Sequence, residues 1–188
     1  NNSLEIVRDS AGMFELIVIP GQSLWFLWQV SPVDFEENST IQVEIQSTEY
    51  GSPVLHQTIL YNLTVLDVND NAPNLSQKQF NIPEDEEGAS SDRQIVDLGQ
   101  YVFDVDGPDN NMIGGYSLVS VTSDATDLTD DFAGVLDKST GMLSTAGLDI
   151  PLDREMYGTS LDFSVNITDT GMPPQSRVVG FSVTLTDL

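Results

Sequence analysis

Three short motifs occur twice in this chain, about 120 residues apart, and that repetition limits the fold more than any other feature. "TEYGSP" (48–53) returns as "TDTGMP" (168–173), "PVDFE" (32–36) as "PLDRE" (151–155), and "TVLDV" (64–68) as "VTLTDL" (183–188). Self-similarity at that spacing makes the chain two copies of one domain-sized unit of roughly 115–120 residues. The second copy is expected to be complete over 73–188. The first, 1–72, is expected to lack its opening strands, as though it began roughly 45 residues ahead of Asn1. Consistent with that, "LEIVRDSAGMF" near the start resembles "FAGVLDKSTGML" in the middle of the second copy. The linker between copies is placed at about 67–73, and the chain is expected to be a soluble piece of something larger.

Both copies alternate apolar and polar residues with period two. Ile41, Val43 and Ile45 alternate with Gln42, Glu44 and Gln46; Tyr61, Leu63 and Val65 with Asn62 and Thr64. In the second copy Leu161, Phe163, Val165 and Ile167 alternate with Asp162, Ser164 and Asn166, and Phe181, Val183 and Leu185 follow the same rule. Half-buried antiparallel strands explain the pattern, each with one face on a core and one in water. Short strands separated by turn residues, with no helical period, predict an all-β chain of tandem Greek-key β-sandwich repeats, immunoglobulin-like, the first N-terminally truncated. A truncated sandwich would expose core and sheet edges. The first copy also carries about ten extra residues around "PGQSLWFLW" (20–28). A longer buried strand pair is the expectation there, with an exposed aromatic docking hairpin as the alternative.

Composition narrows the partners. There are 30 Asp+Glu against 6 Lys+Arg, a net charge of −24, so nucleic acid and anionic membrane surfaces would be repelled. Hard cations and basic protein surfaces suit such a chain better. The absence of cysteine excludes disulfides, thiolate metal sites and cysteine nucleophiles. N-x-[ST] triplets at Asn1, Asn38, Asn62, Asn74 and Asn166 point to an extracellular setting, with Asn62 and Asn166 on wet strand faces. The most apolar stretch, 14–30, is interrupted by Glu15, Pro20-Gly21 and Gln29 and reads as strands, not as a membrane span.

The acids gather in turns: "VDFEE" (33–37), "DVNDN" (67–71), "DVDGPDNN" (104–111) and the Asp169 turn. Calcium takes six to eight oxygens from carboxylates, amides and backbone carbonyls. Alternate side chains of an extended D-x-D share a face, so Asp104 and Asp106 can address one ion, as can Asp34 and Glu36. "DVNDN" lies where one unit ends and the next begins.

These residues resemble a known family. "DVNDNAP", "LDRE", "DVDGPDNN" and the D-x-G-x-P turn are similar, in order, to the extracellular repeats of the cadherin superfamily, over all of 73–188 and the later part of the first copy. The resemblance implies three calcium ions at each junction between repeats. It assigns Asp34 and Glu36 to the D-R-E motif, here D-F-E, and Asp67, Val68, Asn69, Asp70 and Asn71 to the linker motif. Within it, Val68 and Asn69 would act through backbone carbonyls and Asn71 through its side chain. Asp104, Asp106, Asn110 (by its carbonyl) and Asp169 would come from the second repeat. Glu84, Asp153, Glu155 and Asp187 would serve the following junction, incomplete in this chain. A family glutamate near the start of the preceding repeat has no counterpart here, and Glu49 stands where aspartate is usual. Glu86, Glu87, Asp130 and Asp131 match no ligand motif and read as solvated charge.

The implied function is calcium-dependent adhesion or a stiff stalk, as the ectodomain of a plasma-membrane protein whose partners are other cadherin repeats or molecules. A receptor segment binding a non-cadherin protein, such as a toxin, is the alternative, its calcium purely architectural. An enzyme is disfavoured: the acids recur at one offset in both copies, His56 stands alone, and no nucleophile or metal-hydrolase motif occurs.

Overall fold

The structure, a computed structural model, describes residues 2–21, 24–86, 92–148 and 151–187. Asn1 and Glu87, singled out from the sequence, lie outside the described residues. Contacts divide the chain into two compact units, Asn1–Val68 and Asn69–Leu188, the division falling inside the 67–73 stretch. About half of the chain is strand and almost none is helix, in keeping with the period-two alternation, and the fold is all-β and cadherin-like.

The first unit contains β1 (Asn2–Asp9), β2 (Phe14–Val18), β3 (Trp25–Gln29), β4 (Thr40–Glu49) and β5 (Leu55–Thr64). Strands β1, β4 and β5 form an antiparallel sheet in that order, and β2–β3 forms a hairpin. Ile41 and Val43 are fully buried, as their alternation predicts. A turn follows β1 because both Asp9 carboxylate oxygens accept backbone N–H bonds, from Ala11 (3.0 Å) and Phe14 (2.8 Å). Pairing changes one reading of the sequence. Residues 2–9 lie beside β4, and "LEIVRD" is therefore an edge strand of the main sheet, whereas its look-alike "FAGVLD" is a turn-rich segment of the second unit.

An open groove of about 470 Å³ separates sheet and hairpin, lined by Leu4, Leu16, Trp25, Leu27, Ile45 and Ile59 among others. The strand pair expected at 20–28 forms, but it is not buried: Trp25, Phe26 and Trp28 are 40%, 45% and 59% exposed. The cause is two-sided apolarity. Leu16 and Leu27 line the groove, and their neighbours Ile17, Phe26 and Trp28 alternate onto the opposite face.

The second unit runs β6 (Asn74–Leu75), β7 (Gln79–Pro83), β8 (Gln94–Asp97), β9 (Val102–Phe103), β10 (Ile113–Ser123), β11 (Thr126–Asp127), β12 (Met142–Ser144), one helical turn α1 (Arg154–Tyr157), β13 (Ser160–Asp169) and β14 (Ser176–Thr186). Its main sheet has the order β11-β10-β13-β14-β7, antiparallel except for β7, which runs parallel to β14. The β8–β12 pair contributes to the same core from Ile95, Val96 and Leu143. The inward residues of β13 and β14 are buried at every second position, and Phe163 stacks on Phe181 at 5.2 Å between ring centres. Asp153 caps α1 by accepting from the Met156 N–H (3.0 Å), and Gly158 ends it at φ +87°.

Candidate metal centre

In the second unit, a short connection after β9 carries Asp104 and Asp106, and β13 ends on Asp169. Asp106 and Asp169 are each 3% exposed, and Asn69 is 2% exposed. Donors hold these groups in place. Asp169 Oδ1 accepts from Asn69 Nδ2 (3.1 Å), Gly171 N (2.9 Å) and Gln175 N (3.1 Å), while Oδ2 also accepts from Gln175 N. The two Asp106 oxygens accept from Asn71, through its Nδ2 (2.8 Å) and its backbone N–H (3.3 Å). The Asp106 N–H in turn donates to Asp104 Oδ1 (3.2 Å).

Two oxygens are left over. Asp104 Oδ2 and Asn69 Oδ1 are buried and have no hydrogen-bond partner. A buried acceptor without a donor costs roughly 1–3 kcal/mol, more if charged. Burial, together with the charges of Asp106 and Asp169, raises the Asp104 pKa above its usual value, against the lowering effect of the Asp106 N–H bond. Among the described residues no cation pairs with Asp104, Asp106 or Asp169. Unpartnered hard oxygens beside clustered carboxylates form a donor set that fits calcium.

The Asp169 turn shows why glycine stands at 171: a Cβ there would overlap the Asn69 side-chain amide. Asn69 Nδ2 also donates to Pro173 O (2.6 Å), which fixes the amide with Oδ1 free. The Asn69 backbone carbonyl is occupied, accepting from Gln175 Nε2 (3.3 Å), and the free oxygen belongs to its side chain. The Asn71 side chain donates through Nδ2 to Asp106 and to Asp70 Oδ1 (2.9 Å). Asn110 lies on the same connection as Asp104 and Asp106, in a turn closed by its N–H on Gly107 O (2.9 Å).

Within the first unit, Asp34 Oδ1 accepts from the Glu36 N–H (2.9 Å). The carboxylate oxygens of Glu36 and Asp67 lie within 4.8 Å of one another, brought close by the Val65 N–H bond to Ser39 O (3.0 Å). Val68 is exposed. Of the residues expected at the following junction, Glu84, Asp153 and Glu155 place oxygens within 4.8 Å of one another in the second unit. Asp187 pairs with Arg154 at 3.1 Å. Sequence reasoning overlooked Arg154, the middle residue of the D-R-E motif, and Gln175, which belongs to no acidic motif. Among the sequons, Asn62 is exposed on β5 and Asn38, Asn74 and Asn166 are half-buried; Glu86, Asp130 and Asp131 are exposed.

Two compact all-β units with clustered carboxylates define a class by fold, cadherin-like repeats, and the comparisons agree. No family model matches the chain. It is 31% identical over 183 residues to mouse Protocadherin-16 and 29% identical over 184 residues to mouse Cadherin EGF LAG seven-pass G-type receptor 3. Those matches cover 96% and 97% of this chain and only 5% of each relative. Its fold matches the solved extracellular cadherin domains 3–6 of Protocadherin Gamma B2 with a TM-score of 0.74 at 21% identity, over 98% of this chain and 41% of that one. The chain belongs to the cadherin superfamily, as a stretch of its extracellular repeats.

Proposed function

We propose that this chain is a calcium-binding stretch of a cadherin-type cell-surface ectodomain, in which calcium stiffens the linker at 67–73 for cell–cell adhesion. Residues 1–72 are read as the later part of one repeat and 73–188 as a whole one. The observation that carries the reading is the pair of buried, unpartnered oxygens on Asn69 and Asp104 beside Asp106 and Asp169. Asn69 and Asp104 would offer these side-chain oxygens, Asp106 and Asp169 their carboxylates, and Asn110 its carbonyl. Bound calcium would supply the positive charge that these oxygens lack. Asn71 and Gln175 act one step removed, orienting Asp106 and Asp169 through N–H donors. Asp34, Glu36, Asp67 and Asp70, with the Val68 carbonyl, enter by motif, and the four acids bring the carboxylates to seven, whose mutual repulsion leaves the cation-free linker loose.

Affinity is expected in the extracellular range, about 10⁻⁴–10⁻³ M. The parent is read as a membrane-anchored protein displayed outside the cell, its partners other cadherin molecules, its chemistry ion binding without turnover. One observation favours a second reading, a receptor for a non-cadherin protein: the exposed Phe26 and Trp28 face of the hairpin. Small-angle scattering with calcium and with EDTA tests the main reading. A longer maximum dimension in calcium is expected, and an unchanged one contradicts it.

A further inference from the structure

Arg154 sits among the residues assigned to the following junction and touches three of the four. Its backbone N–H donates to Glu84 Oε2 (3.0 Å), and its Nη2 pairs with Glu155 Oε1 (3.0 Å) and Asp187 Oδ2 (3.1 Å). Glu84, Asp153 and Glu155 hold oxygens within 4.8 Å of one another, spacing that suits a shared cation. One guanidinium nitrogen therefore spans two of the carboxylates such a cation would use.

We propose that Arg154 is a built-in counter-cation of this cluster, engaging Glu155 and Asp187 while the site is empty and releasing them when calcium binds. The inference rests on the calcium reading above and adds a competitor to it. Exposure makes the exchange easy: the Glu155 and Asp187 side chains are 67% and 69% exposed, and ion pairs in that setting are individually weak. The Arg154 side chain is only 29% exposed, so its stem stays anchored while the head group changes partner. Arg93 is committed elsewhere, to Asp85 at 2.8 Å. The equivalent position in the first unit is Phe35, between Asp34 and Glu36, and it carries no charge. Two copies of one motif therefore differ in whether calcium must displace a cation, and the Arg154 copy is the weaker binder.

The test is a calcium titration of the full chain followed by the amide NMR signals of Glu84, Asp153 and Glu155, with the Arg154 side-chain N–H observed alongside. Arg154→Gln is expected to lower the calcium midpoint roughly three- to tenfold. Arg154→Lys, which keeps the charge but loses the planar fork, should fall between, and Lys138→Gln, a charge-matched control in another turn, should leave the midpoint unmoved. In the unsubstituted chain the Arg154 side-chain signal should move with the same midpoint. An unaltered or higher midpoint in Arg154→Gln, or an equal drop in Lys138→Gln, overturns the counter-cation role while leaving the calcium site standing. No calcium-dependent shift at 84, 153 and 155 in any protein overturns the calcium reading of this cluster, and the inference with it.

Discussion

Replacing Asp104 by asparagine should stabilise the cation-free protein and lose that advantage over the parent once calcium is present. Asparagine keeps an oxygen for the Asp106 N–H, so the bond at 3.2 Å survives. What is lost is a charge that burial and the Asp106 and Asp169 carboxylates all oppose. A like-charge pair about 4 Å apart costs on the order of 4 kcal/mol at an effective dielectric of 20, and screening at a partly open site leaves about 1 kcal/mol to be regained. In EDTA that raises the melting temperature by about 4 °C. With a Kd of roughly 1 mM, about 10 mM calcium stabilises the parent by about 1.4 kcal/mol for one site. A tenfold weaker site in the variant gains only about 0.4 kcal/mol. Thermal melts of both proteins in EDTA and in calcium read all four values. Equal destabilisation of the variant in both buffers would make Asp104 a structural residue and refute this account of its buried oxygen.

Three further outcomes are expected. Gly171→Ala should push the Asn69 amide from its place, breaking its bonds to Asp169 and Pro173; a loss of about 2–4 kcal/mol in urea unfolding and a weaker calcium midpoint would show it. Phe132→Ala, at a fully buried ring packed edge-on against Tyr157 and Phe163, should cost about 3–5 kcal/mol with the calcium midpoint of any folded protein unchanged. In EDTA, the raised Asp104 pKa means that the folded state holds the proton to higher pH than the unfolded state. Its contribution therefore falls as pH rises from the ordinary aspartate value of 3.8 through the raised one, and Asp104→Asn should remove that fall. Asp127 and Asp137, lowered by hydrogen bonds from Thr129 and Ser139, act in the opposite sense, losing their contribution as pH drops below 3.8.

Strands β4 and β13 were legible because one face of each is buried: Ile41 and Val43, or Leu161 to Ile167, announce a core by alternation alone, whereas β5 alternates too but leaves Ile59 and Tyr61 exposed. The acidic motifs were legible because their order along the chain is specific. Which atom of Asn69 is free was not, since that depends on Pro173 and Gln175, more than a hundred positions away. The edge role of residues 2–9 was hidden for a similar reason. "LEIVRD" and "FAGVLD" share letters, but pairing partners decide which segment is a strand. Arg154 escaped notice because a guanidinium among carboxylates reads in sequence as the inert middle of a motif. Only the distances to Glu155 and Asp187 show it spanning two of the carboxylates proposed for the site.

Anomalous diffraction from crystals grown in millimolar calcium addresses the central claim most directly. A cation is expected about 2.3–2.6 Å from Asn69 Oδ1 and from carboxylate oxygens of Asp104, Asp106 and Asp169. Well-ordered side chains at those four positions with no anomalous peak between them, and Asp104 Oδ2 still unpartnered, would contradict it.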